Sequence, residues 1–288
     1  MRSMKIIVNA PAKINLYLDI LGRRSDGYHD VEMVMQTVSL CDTVTVTRTK
    51  HGNINLTCST PIPGHVERNT AYLAAQAFFE HANICNPGID IHIRKRIPIC
   101  AGLAGGSADA AAVLNALNQI FDTNISKEEL AKLGEKIGAD VPFCVHGGTM
   151  LATGTGTTLE ALPPMPKCHF VIVKPDIAIS TRAAYEASDV STSSKNNSAK
   201  NVISAIAAKD LQALSNSLYN RFEEVLSLNE MERIKSLLIY HGALNACMSG
   251  SGSAVFGIFE DNAQAAKCKD ALSARYEGNF LVDPVNLT

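Results

Sequence analysis

The sequence predicts an α+β fold, on three observations. Strictly alternating stretches cluster in the early part of the chain. Helical spacing dominates the later part. Between them the composition changes at "LPPMPK" (162–167), where three prolines mark either a domain junction or a stiff connection. The chain has 288 residues and is 46% hydrophobic, enough for two modest domains or one large one with a sizeable core. Its 26 basic and 28 acidic residues leave a formal charge of −2, which supplies no broad electrostatic case for nucleic acid or an anionic membrane as partner.

In order along the chain, "AKINLYLDI" alternates with Ile14, Leu16, Leu18 and Ile20 on one face and Lys13, Asn15, Tyr17 and Asp19 on the other. That is the period of a half-buried strand. The turn formers of "GRRSDGYHD" follow, and "VEMVMQTV" reads as a returning strand. "DTVTVTRT" and "NINLTC" read as another strand pair. "RNTAYLAAQAFFEHA" is a helix with Asn69 or Thr70 as N-cap, and "DIHIRKRIPI" alternates again. Past the glycines of "GLAGGSADAA", Val113, Leu114, Leu117, Ile120 and Phe121 take helical spacing. "SKEELAKLGEKIG" opens on a capping box, Ser126 with Glu129, and stops at a glycine. "TGTGTT" (153–158) is a turn, "HFVIVKP" a buried strand, and the polar run 189–201 an exposed, mobile loop. Helices continue to about Tyr240. "ACMSGSGSAVFGIF" is a glycine loop with a strand, and "NAQAAKCKDALSARY" is a closing helix.

Eight cysteines lie at 41, 58, 85, 100, 144, 168, 247 and 268 with no C-x-x-C spacing, so zinc and dithiol chemistry are not expected. They are expected to be reduced thiols, mostly buried. No apolar run fits a signal peptide or the ~20 residues of a membrane span, so a soluble cytoplasmic protein is the expectation.

The segment "PICAGLAGGSADAAAVL" (98–114) carries most of the functional information. Gly102, Gly105 and Gly106 stand directly before a helix. They suit either a tight structural turn or a loop that brings bare backbone N–H groups to an anion such as phosphate. The P-loop is excluded, since no Gly-Lys pair occurs. A dinucleotide fingerprint is excluded at 153–158, where Leu159 stands in place of the third glycine.

The segment matches another pattern, P-x-x-x-G-L-x-G-G-S-[AS]-x-A-A, through Pro98, Gly102, Leu103, Gly105, Gly106, Ser107, Ala108, Ala110 and Ala111. It thereby resembles the phosphate loop of the GHMP kinases. Three further stretches resemble one branch of that family in the expected order: "APAKINLYLDILGRRSDGYHDVEMVMQTVSLCDTV", "GADVPFCVHGG" and "MSGSGSAVFGIF". Ser253 departs from the many members that carry proline after G-S-G.

The resemblance implies a two-domain fold, 1–162 and 163–288, with ATP and substrate in the cleft between domains. It implies transfer of phosphate from ATP to the 2-hydroxyl of 4-diphosphocytidyl-2-C-methyl-D-erythritol, with Mg2+ accompanying the nucleotide. Asp140 would accept the hydroxyl proton, and Lys13 would lie beside it and stabilise the developing alkoxide. Pro98, Ile99, Cys100, Ala101, Gly102, Leu103, Ala104, Gly105, Gly106, Ser107 and Ala108 would hold the ATP phosphates. Ser107 is expected either to cap the following helix or to bond phosphate or magnesium as well. Asn69 would lie near the adenine as well as capping its helix. Asn15 would touch substrate, Tyr28 and Tyr185 would stack on the cytosine, and His29 would read its polar edge.

Overall fold

The computed structural model describes residues 4–50, 52–61, 64–85, 87–189, 198–226 and 228–286. They form two compact units that interleave along the chain. The first is built from 1–12, 40–99 and 104–146, the second from 13–39, 100–103 and 147–288. Two long strands, β1 (Lys5–Arg23) and β2 (His29–Arg48), begin in one unit and end in the other.

In the first unit, β2 pairs antiparallel with β4 (Ile89–Arg94), and β4 pairs in parallel with β3 (Ile54–Cys58). The expected pairing of "DTVTVTRT" with "NINLTC" is therefore wrong, because β4 lies between them. The connection from β3 to β4 carries helix α1 (Thr70–His81), and a helical crossover of this kind is what parallel neighbours require. "VEMVMQTV" and "DTVTVTRT" are also one strand rather than two, since no glycine or proline interrupts 30–48. Alternation along β4 buries Ile89, Ile91 and Ile93 and exposes Asp90, His92 and Arg94. Helix α2 (Gly105–Phe121) packs its alanines against α1 and against α4 (Val141–His146). Between them α3 (Lys127–Glu135) opens on the Ser126–Glu129 capping box, present in both directions. Asn69 is the cap of α1, its side chain accepting from the Ala71 N–H at 2.9 Å.

In the second unit, β5 (Thr149–Thr153) pairs with β2 and turns back through 154–157 into β6 (Thr158–Ala161), so "TGTGTT" is a hairpin turn. A four-stranded antiparallel sheet has the order β11-β7-β10-β9, from β7 (His169–Lys174), β9 (Asn245–Met248), β10 (Val255–Phe259) and β11 (Gly278–Val282). The later chain is thus less helical than its periodicity suggests, because short strands without exposed faces carry no alternation. Helices α5 (Thr181–Asp189), α6 (Ala199–Ala208), α7 (Leu211–Asn216), α8 (Arg221–Val225), α9 (Asn229–Tyr240) and α10 (Asn262–Ser273) complete the unit, with α9 and α10 against this sheet. The two-residue strand β8 (Tyr219–Asn220) pairs in parallel with β1. Of the loop read at 189–201, residue 189 ends α5 and 199–201 open α6; 190–197 lie outside the described residues.

All eight cysteines are free thiols, but only Cys168, Cys247 and Cys268 are buried; Cys85 and Cys100 are exposed, correcting the expectation of mostly buried ones. Burial pushes the thiols of Cys168 and Cys268 up to about 12 and about 11. Among the described residues no helix is long and apolar enough to cross a membrane.

Candidate active site

Strand β1 carries Lys13 and Asn15 where the sequence suggested a solvated face. Both are buried, as are their neighbours Ile14, Leu16 and Tyr17. The strand is covered on both sides because its polar face has partners within the second unit. The Lys13 Nζ donates to Asn15 Oδ1 at 2.7 Å, the Asn15 N–H donates to Ser249 Oγ at 3.3 Å, and Tyr17 packs on Tyr219 at 5.4 Å. Alternation reports which side chains share a face; it does not report what covers that face.

The glycine loop has an unusual backbone. Cys100, Gly102 and Ala104 take φ of 53°, 74° and 55°, whereas Ala101 and Leu103 between them do not enter that left-handed region. Such alternation turns successive N–H groups toward one side and makes a concavity suited to an anion. Two of the three are not glycine, and each left-handed L-residue costs about 1–2 kcal/mol. Strain of this kind is held in place by neighbours.

In the second unit those neighbours are clear. Ser249 Oγ donates to the Gly102 carbonyl at 3.0 Å, the Ala254 N–H to the Ala101 carbonyl at 3.1 Å, and the Lys13 N–H to the Leu103 carbonyl at 3.2 Å. Asn220 Nδ2 donates to the carbonyls of Met248 and Gly250, which holds the Ser249 segment in turn. A Cβ on Gly102 would lie 2.0 Å from the Ser249 carbonyl oxygen, so glycine is required there.

In the first unit, α2 starts at Gly105 and its N-cap residue is Ala104, which offers no side-chain acceptor. Ser107 therefore sits inside the first turn and does not cap the helix, contrary to the simpler of its two expected roles. Its Oγ lies 3.8 Å from where a Cβ on Gly138 would stand, next to the segment that leads to Asp140. Thr70 Oγ1 donates to the Gly106 carbonyl at 2.7 Å and ties the start of α2 to that of α1. A helix start without a side-chain cap leaves backbone N–H groups unsatisfied and favours negative charge nearby. Asp140 stands immediately before α4, its carbonyl accepting from the Cys144 N–H at 3.0 Å.

Sequence reasoning passed over a buried charge cluster behind this helix. Lys95, at the end of β4, bonds both Asp42 and Asp109, the latter at 2.8 Å. Asp42 also accepts from the backbone N–H groups of Arg96 and Ile97. Asp109 Oδ1 is buried with no hydrogen-bond partner among the described residues. Desolvation pushes the Asp109 carboxyl up to about 7, with the Lys95 ammonium opposing and the Asp42 charge adding to the shift. The Lys95 Nζ lies 3.3 Å from the position a Cβ on Gly105 would occupy. "RKRIP" gave no clear signal for this cluster, since Lys95 stands between Arg94 and Arg96 and its carboxylate partners are 53 residues upstream and 14 downstream.

The aromatic residues are arranged differently from expectation. Tyr28 lies on the turn between β1 and β2, is 68% exposed and makes no ring contact among the described residues. It is His29 that stacks on Tyr185, at 4.9 Å between centroids and 27° between planes. Tyr185 meets Phe222 edge-on at 5.1 Å. His29 Nε2 lies 2.6 Å from Asp189 Oδ1, and Arg23 holds the other carboxylate oxygen at 3.2 Å. The structure thus brings His29 and Tyr185 together, leaves Tyr28 open, and adds Asp189 and Arg23. The i, i+4 spacing of Tyr185 and Asp189 on one helix was the available signal for Asp189.

A strained glycine loop feeding an uncapped helix, beside an interleaved α+β chain, describes a class of phosphate-handling enzymes, and comparison with known proteins identifies the class. Residues 69–148 match the GHMP kinases N terminal domain and residues 202–278 the GHMP kinases C terminal. The chain belongs to the GHMP kinase family of ATP-dependent kinases. It is 45% identical over 264 residues to 4-diphosphocytidyl-2-C-methyl-D-erythritol kinase of Lachnoclostridium phytofermentans, a match covering 91% of this chain and 90% of that one. It is 43% identical over 281 residues to the enzyme of the same name from Brevibacillus brevis, covering 97% and 96%. The crystal structure of a 4-(cytidine 5'-diphospho)-2C-methyl-D-erythritol kinase superposes with a TM-score of 0.84 at 30% identity, over 98% of this chain and 100% of that one. The mevalonate kinase of L. major shares the fold at a TM-score of 0.78 and 18% identity, over 99% and 98%.

Proposed function

We propose that this protein transfers the γ-phosphoryl group of ATP to the 2-hydroxyl of 4-diphosphocytidyl-2-C-methyl-D-erythritol, releasing ADP. The single observation that carries the substrate is the His29–Tyr185 stack, an imidazole and a phenol ring held together beside the exposed Tyr28. A kinase acting on mevalonate or homoserine has no base to recognise and no use for these rings. The names of relatives matched over more than nine-tenths of both chains support the same reading.

In this reading the loop Pro98–Ala108 cradles the ATP phosphates with its backbone, Ser107 adds a hydroxyl, and Asn69 lies near the adenine. Asp140 accepts the proton of the attacking hydroxyl as its oxygen bonds to phosphorus and the bond to the ADP oxygen breaks. Lys13, buried and oriented by Asn15, supplies a fixed positive charge against the developing alkoxide, and Asn15 also faces substrate. Tyr28 stacks on the cytosine with His29 at its polar edge, and Tyr185, expected as the second stacking ring, acts by holding the face of the His29 imidazole.

Among the described residues no group of three or more His, Cys, Asp or Glu side chains could hold a metal. That suits an Mg2+ that arrives with ATP and takes most of its ligands from phosphate and water. We take 1–162 and 163–288 as the two family domains, which the matches at 69–148 and 202–278 support by falling on either side of that boundary. A cytoplasmic setting is consistent with eight free thiols.

The test is a coupled ADP-release assay with ATP against 4-diphosphocytidyl-methylerythritol, mevalonate and homoserine. Turnover is expected with the first alone. Turnover with either of the others and none with the first would overturn the reading.

A further inference from the structure

Helix α5 grips one imidazole at two points. Tyr185 and Asp189 are one turn apart on the same face, and His29 opens β2. The Tyr185 ring covers the imidazole face at 4.9 Å, and the Asp189 carboxylate takes its Nε2 edge at 2.6 Å. The His29 side chain is 11% exposed. Its Nδ1 has no hydrogen-bond partner among the described residues.

The chemistry of the carboxylate decides where the proton sits. The hydrogen bond from His29 holds Asp189 below the usual carboxylate range, and the Arg23 guanidinium on its other oxygen acts in the same direction. An ionised carboxylate can only accept. The 2.6 Å contact therefore needs its proton on Nε2, and in the neutral ring Nδ1 is then a lone pair. Cytosine presents an exocyclic amine, a donor, at C4; uracil presents a carbonyl oxygen there. An Nδ1 lone pair bonds the first and repels the second.

We propose that Asp189 is a positioning residue for base choice: by accepting from His29 Nε2 it leaves Nδ1 as the acceptor that reads the cytosine amine, while Tyr185 fixes the plane of the ring. This rests on the cytidine reading given above. Arg23 makes the proposal sharper. It donates to one Asp189 oxygen, so in Asp189→Asn the amide carbonyl must face Arg23 and the amide NH2 must face His29. The ring proton then moves to Nδ1, which becomes a donor suited to the uracil oxygen.

The experiment is calorimetric binding of CDP and UDP to the full chain as wild type, Asp189→Ala, Asp189→Asn and Asp189→Glu. 15N spectra of the histidine rings accompany it, with His29 assigned through His29→Gln. Wild type should prefer CDP and show a protonated Nε2 with a bare Nδ1. Asp189→Ala should lower the CDP:UDP preference about tenfold. Asp189→Asn should lower CDP affinity, raise UDP affinity and move the proton to Nδ1. Asp189→Glu, which keeps the acceptor, should recover part of the preference. An unchanged CDP:UDP ratio in both Asp189→Ala and Asp189→Asn would overturn the role of Asp189, as would a wild-type ring carrying its proton on Nδ1. Wild type binding UDP as well as CDP would strike the cytidine reading itself, and is distinguished because the ring spectra still report the His29–Asp189 pair.

Discussion

Lys95→Met should weaken the unit that carries α2, and weaken it more at pH 8 than at pH 5.5. The lysine stands between two carboxylates that are 0% and 5% exposed, and it is itself only 12% exposed. Methionine keeps most of the volume and removes the charge. Asp42 keeps its two backbone donors; Asp109, whose Oδ1 already lacks a partner, loses the donor on its other oxygen. Removing one member of a buried ion pair costs about 3–5 kcal/mol. For a unit of this size, at about 2.1 cal/mol/K per residue, that corresponds to a fall in melting temperature of roughly 12–20 °C.

The pH dependence follows from Asp109. Its folded value, about 7, lies above its ordinary one, so the fold binds this proton more tightly than the unfolded chain does. The stability that the proton contributes is full below about pH 4 and is lost as pH rises through about 7. At pH 5.5 Asp109 is already mostly protonated, and the variant loses little beyond the bond to Asp42. At pH 8 the wild type sets Lys95 against two charges; the variant leaves Asp42 to its two backbone donors, and Asp109 must either bear an unpaired charge or hold a proton at a cost that grows with pH. Asp109→Asn added to Lys95→Met removes one of those charges and should recover more than half of the loss at pH 8. Thermal melts of the three proteins by circular dichroism at both pH values read this directly. A Lys95→Met melt within about 2 °C of wild type at pH 8, or an equal shift at both pH values, would refute the argument.

Other changes have equally definite outcomes. Gly102→Ala places a Cβ against the Ser249 carbonyl at a φ of +74°; it should lower the melting temperature and weaken ATP binding by calorimetry, and a variant with both unchanged would remove the strained-loop account. Asp140→Asn keeps shape and removes the base, so turnover should fall by roughly 10²–10⁴-fold in a folded protein, and near-normal turnover would exclude it from proton transfer. Tyr185→Ala should weaken CDP binding about ten- to a hundredfold through loss of the ring that holds the His29 plane, with ATP affinity within about twofold; CDP binding at wild-type strength would separate Tyr185 from base recognition.

Local features were legible in the sequence wherever a single segment satisfies itself. The Ser126–Glu129 capping box, the Asn69 cap, the hairpin turn at 154–157 and the alternation of β4 depend on residues a few positions apart, and each stands as read. The glycine loop was legible as a motif, because a backbone that must be bare leaves a compositional trace. Its conformation was not. Gly105 and Gly106, the most suggestive glycines, open the helix, while the left-handed positions fall on Cys100, Gly102 and Ala104.

Tertiary structure decided everything that depends on what lies opposite a given face. Alternation placed Lys13 and Asn15 on a polar face; Met33, whose sulfur accepts from the Asn15 amide at 3.4 Å, and Tyr219, packed on Tyr17, help make that face an interior. Two β-rich stretches looked like partners until β4 came between them, a register set by the crossover helix and not by either strand. Tyr185 was expected opposite Tyr28; in the fold it is His29, from the start of β2, that lies on it, with Asp189 at the imidazole edge. Propensity and spacing act over one or two turns of chain. Burial, charge pairing and the tautomer of a histidine are set by groups that only the folded chain brings within a few ångströms.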